Sequence, residues 1–159
     1  EYFNNSYASK DTSNYYLLKK GDFAYNKSYC TGYPMGALKL LEKYDSGVVS
    51  PLYICMRIHS ANATNEFFKY YFDSEKLSKA LAPIAKEGAR NHGLLNVAVP
   101  DFFSMPVALP PVEEQRDIAS ILTAIDKQID ACQSKLTALS RLKSGLMQQL
   151  LTGRTRVKV

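Results

Sequence analysis

The chain's 159 residues suffice to bury one real core, and 46% hydrophobic with 22% charged residues is an ordinary globular composition. No apolar run approaches the length of a membrane-spanning helix. A net charge of +5 is compatible with a nucleic-acid partner but decides nothing alone.

The chain opens at Glu1 inside an aromatic and polar stretch, which reads as a piece of a longer protein. Short apolar runs then predict strands over 15–19, 22–26, 37–41, 48–50 and 52–58. Gly21, Gly32, Gly36, Gly47 and Pro51 punctuate them. Residues 65 to about 82 predict a helix, with Phe67, Phe68, Tyr71 and Phe72 spaced by one turn. Residues 88–96 read as a loop. All 11 tyrosines and 7 phenylalanines lie at or before Phe103, so the composition changes between there and Pro111. The expectation is an α+β class: a mixed globular domain over residues 1–109, then one long coiled-coil-type helix over 110–159.

The signals at both ends of that helix agree. Pro110 and Pro111 pre-set a first turn, and Glu113 and Glu114 sit at the positive end of the helix dipole. No acid follows Asp130, while Lys135, Arg141, Lys143, Arg154, Arg156 and Lys158 load the far end. Gly153 is placed for a left-handed cap. Between them runs a seam: Ile118, Leu122, Ile125, Ile129, Cys132, Leu136, Leu139, Lys143, Leu146 and Leu150. Its steps alternate four and three, the 3.5-residue period of a coiled coil, broken only by Lys143. Such a helix would be about 60 Å long, more than a small domain needs. It therefore reads as a strut that pairs with another helix.

Catalytic signatures are missing. The sequence has no phosphate-binding glycine loop of either common type, and no adenine-methyltransferase signature of the Asn/Asp-Pro-Pro-aromatic kind. Cys30, Cys55 and Cys132 form no CxxC or Cys/His cluster, so neither zinc nor a disulfide framework is indicated, and a reducing cytoplasm is the natural setting. His59 and His92 are isolated. Nothing assembles a nucleophile, a base and an orienting group. The chain reads as non-catalytic, with no cofactor and no metal.

What remains are polar-aromatic loops at 4–14, 26–33 and 86–93. Their Asn, Arg, Lys and Tyr residues suit base edges and phosphates. They equally suit solvated loops whose tyrosines close the rim of a core. Residues 1–109 carry twelve cations against ten anions, a weak footprint for a stand-alone DNA binder.

Leu109-Pro110-Pro111-Val112-Glu113-Glu114-Gln115-Arg116-Asp117-Ile118-Ala119, Ile125-Asp126 and Leu146-Met147-Gln148-Gln149-Leu150-Leu151-Thr152-Gly153-Arg154 resemble the helical region of type I restriction–modification specificity subunits. Lys20-Gly21-Asp22-Phe23-Ala24-Tyr25-Asn26-Lys27, the stretch from Gly47 to Tyr53, and Arg90-Asn91-His92-Gly93-Leu94-Leu95-Asn96 resemble landmarks of that family's target recognition domain, in the right order. The resemblance implies sequence-specific reading of one half of a bipartite site in double-stranded DNA. It implies methyltransferase subunits docked on the helices, and a restriction subunit joined through them. A whole specificity subunit carries two such domains and two helices packed antiparallel. One domain, with its opening segment missing, is expected here. As a fragment it should pair with a second copy through Ile118, Leu122, Ile125, Ile129, Leu136, Leu139, Leu146 and Leu150. The candidate DNA contacts are Asn26, Lys27, Tyr29 and Tyr33 from one loop and Lys86, Arg90, Asn91 and His92 from another. The last three could instead structure their own loop. The competing class is a coiled-coil dimerising adaptor that binds protein and has no DNA specificity.

Overall fold

The alternation Phe23-Ala24-Tyr25-Asn26 builds the centre of the fold. In the computed structural model, which describes residues 11–29, 32–87 and 95–157, five strands come first. They are β1 (Tyr16–Lys19), β2 (Phe23–Asn26), β3 (Ala37–Leu40), β4 (Ser46–Val49) and β5 (Ile54–Met56). Strand β2 lies between β3 and β5, antiparallel to both, with Phe23 opposite Leu40 on one side and Met56 on the other. Its period of two sends Phe23 and Tyr25 into the core, both fully buried, and leaves Ala24 and Asn26 half-covered. Strands β1 and β4 form a separate antiparallel ribbon in which Leu17 faces Val48.

Two short helices supply the other side of the core. Helix α1 (Asn65–Asp73) turns Phe67, Phe68 and Phe72 inward, and α2 (Glu75–Leu81) adds Leu77 and Leu81. Phe72 meets Phe23 edge-on at 5.4 Å between centroids. Each such buried ring contributes roughly 1.5–3 kcal/mol. The single helix expected over 65–82 is broken at Ser74, whose backbone is extended. The Ser74 hydroxyl donates to the Tyr71 carbonyl at 2.6 Å and accepts from the Lys76 N–H at 3.3 Å. It ends one helix and caps the next, as serine does at helix boundaries.

Three small elements follow that sequence patterning did not indicate. A two-residue antiparallel pair joins β6 (Lys86–Glu87) to β7 (Leu95–Asn96). Helix α3 (Val99–Phe103), with Pro100 in its first turn, stacks Phe102 on Tyr25 at 5.2 Å. The five expected strands stand within two residues of their predicted bounds at each end, and the α+β class is borne out.

Helix α4 (Val112–Leu151) is continuous for 40 residues. It begins as expected, with Glu113 and Glu114 in the first turn. Its last turn holds no cation, because Arg154 and Arg156 lie beyond the end. Gly153 adopts φ +72°, and its N–H donates to the Leu150 carbonyl at 3.2 Å, which closes the helix. The chain divides into two compact units, one through Ala119 and one from Ser120 onward. Among the described residues no helix is long and apolar enough to cross a membrane.

Candidate nucleic-acid interface

The β2–β3 connection, from Asn26 to Gly36, carries four of the candidate contacts and is held at both ends. At its start, the Asn26 Oδ1 accepts from the Ser28 N–H at 3.0 Å, a local turn that commits one side of that amide. At its end, Gly36 adopts φ +78°, and an added Cβ would lie 2.2 Å from the Asn26 carbonyl oxygen. Only glycine lets the two ends of the connection close this tightly. Beneath them, the buried Tyr25 hydroxyl donates to the Met35 carbonyl at 2.7 Å, and burial pushes its pKa up to about 12. The loop thus stands on a neutral, hydrogen-bonded phenol in the core.

The loop's face is polar and aromatic. Tyr29 is well exposed and Lys27 half-covered. The Lys27 carbonyl accepts from the Leu95 N–H at 2.8 Å, which brings β7 against the connection. Lys86 pairs through its backbone with Asn96. Its side chain, and all of Arg90, Asn91 and His92, lie outside the described residues. Tyr33 is bound from two other elements: Lys39 Nζ donates to its hydroxyl at 2.7 Å, and that hydroxyl faces the Asp73 carboxylate at 3.5 Å. Lys39 and Asp73 also form an ion pair.

At the opposite end of β2, Asp22 is buried and receives both Arg57 Nε (2.5 Å) and an Arg57 terminal nitrogen (2.7 Å), plus the Lys19 N–H at 2.8 Å. The Arg57 guanidinium, and after it the Lys19 N–H, hold the Asp22 carboxyl below the usual carboxylate range against the opposing effect of burial. The same pairing raises Arg57. Burial, then the Asp22 charge, pushes the Cys55 thiol up, so it is a poor nucleophile at neutral pH. Among the described residues no three His, Cys, Asp or Glu side chains are grouped to hold a metal ion.

The first turns of α4 are tied to the rest of their unit by a residue whose role the sequence did not reveal. Gln115 is fully buried. Its Oε1 accepts from the Thr64 N–H at 3.0 Å, and its Nε2 donates to the Asn62 and Pro110 carbonyls, both at 2.8 Å. Thr64 is itself the N-cap of α1. Of the residues assigned to helix pairing, Ile118 packs on the domain core and Leu122 is half-buried. Ile125, Ile129, Leu136, Leu139, Leu146 and Leu150 are between 41% and 59% exposed. Leu142, Met147 and Leu151 widen this apolar face toward the C-terminal end of α4.

Residues 1–141 match the family described as the type I restriction modification DNA specificity domain. Among curated proteins, the chain is 32% identical over 83 residues to the type I restriction enzyme MjaVIII specificity subunit of Methanocaldococcus jannaschii, 52% of this chain and 19% of that one. It is 41% identical over 58 residues to a protein of the same organism named for the MjaX type I specificity subunit, 36% of this chain and 14% of that one. The matched segments thus span less than a fifth of these relatives' lengths.

Proposed function

Because the chain belongs to the type I restriction modification DNA specificity family, we propose that it reads one half of a bipartite site in double-stranded DNA. The reading surface is the Asn26-to-Gly36 connection together with the segment between β6 and β7. Asn26, Lys27, Tyr29, Tyr33, Lys86, Arg90, Asn91 and His92 supply its contacts. The chain itself contributes no catalytic group. Helix α4 pairs with a second helix, from the same polypeptide or from a second copy, and sets the distance between half-sites. Methyltransferase subunits dock on this scaffold and modify adenine, and a restriction subunit joins through them. The observations that support this reading are that Gln115 ties the first turns of α4 to the loop-bearing domain and that the apolar residues of α4 from Ile125 onward are exposed.

The test is retention of the assembled enzyme on duplex DNA. Binding should depend on the sequence of two separated half-sites and weaken steeply as salt rises, since cations that neutralise phosphates release counterions. Retention independent of sequence would favour the protein-binding adaptor.

A further inference from the structure

We propose that Lys39 and Asp73 are positioning residues for recognition: together they fix Tyr33, and through it the Tyr33-to-Gly36 end of the β2–β3 connection. The inference rests on the half-site reading proposed above. Lys39 belongs to β3, and Asp73 is the last residue of α1, so the clamp fastens the loop to the sheet and to the helical layer at once. One ammonium serves three contacts. It donates to the Tyr33 hydroxyl at 2.7 Å, pairs with the Asp73 carboxylate, and lies 4.6 Å from the centroid of the Tyr33 ring. The Tyr33 carbonyl in turn accepts from the Gly36 N–H at 3.1 Å, which couples the ring's position to the tight closure of the loop. On either side of Tyr33 the surface is hollow. Leu38, Glu42 and Lys69 line one hollow, and Gly32, Phe72 and Ser74 line the other. The Lys39–Asp73 pair thus holds the ring through its hydroxyl and its face.

The clamp is suited to specificity more than to stability. The Lys39 and Asp73 side chains are 39% and 35% exposed, and ion pairs that open to water add little to folding. Base contacts, in contrast, need their side chains held to within about half an ångström. Loosening Tyr33 should therefore leave the fold in place and blur the half-site.

The experiment uses the full specificity subunit containing this chain, assembled with its methyltransferase subunits. Methylated adenines are mapped for the wild type, D73N, K39M, Y33F, the D73N/Y33F double variant, D73E, and an exchange of residues 1–103. D73N, K39M and Y33F should each lower discrimination at one half-site by about ten-fold. The other half-site, the spacer and the thermal midpoint should be unchanged. D73N should add nothing in the Y33F background, and D73E should restore part of the loss. An unchanged half-site in Y33F and D73N overturns the proposal. So does a D73N effect that persists undiminished without the Tyr33 hydroxyl. If the 1–103 exchange itself leaves the motif unaltered, the DNA-reading proposal falls. If the exchange alters the motif while the point variants do not, only the positioning inference falls.

Discussion

Two buried polar residues govern how this domain holds its shape. Gln115 satisfies three backbone groups from a fully buried position. Gln115→Leu would leave the Thr64 N–H and two carbonyls short of partners, and should destabilise the domain by roughly 2–4 kcal/mol in a thermal or denaturant melt. Asp22 makes stability depend on pH. Its carboxyl is held below the usual range when folded, so in acid the unfolded state binds more protons than the folded one. The stabilisation is complete above the ordinary carboxylate pKa, near 4, and is lost as pH falls from there through the lower folded value. Asp22→Asn should cost about 1–2 kcal/mol at neutral pH, discounted for the exposure of Arg57, and should flatten this acid limb. A melt series from pH 7 to pH 3 on both proteins measures it. Neither residue was legible as an anchor in the sequence. A glutamine beside two glutamates looks like solvent-facing helix surface, and only the Asn62–Thr64 turn, some fifty residues away in the chain, gives it a reason to be inside.

At the level of elements, local pattern carried far. The period of two in 23–26, the glycines at Gly21 and Gly36, the aromatic spacing in α1 and the capping signals of α4 all act over a few residues, so the sequence displays them. The pieces that patterning missed depend on distant partners. Strands β6 and β7 are two residues each and exist because Leu95 meets Lys27; α3 exists because Phe102 finds Tyr25. The β2–β3 connection is similar: its residue types were readable, while the Lys39–Asp73 pair across 34 residues was not. Two element-scale predictions follow from geometry. Gly36→Ala should destabilise the domain by about 2 kcal/mol or more, because its Cβ would strike the Asn26 carbonyl at a positive φ. Ile125→Lys with Ile129→Lys should abolish helix pairing, read as a fall to the monomer mass in light scattering with helicity retained by circular dichroism.

At the scale of the whole molecule, the proposed function joins a reader to a ruler. A heptad inserted into α4 adds about 10.5 Å of helix, and should lengthen the spacer between half-sites by up to about three base pairs without altering either half-site. The central claim is that the first 103 residues choose bases while α4 chooses distance. The measurement that tests it most directly maps methylated adenines left by the full assembled enzyme in a methylation-free host. The parent protein is compared with one in which residues 1–103 are exchanged for another recognition domain. If the proposed function holds, a bipartite motif appears in which only one half changes and the spacer length stays fixed. A motif unchanged by the exchange, or methylation that does not depend on this chain at all, would contradict it.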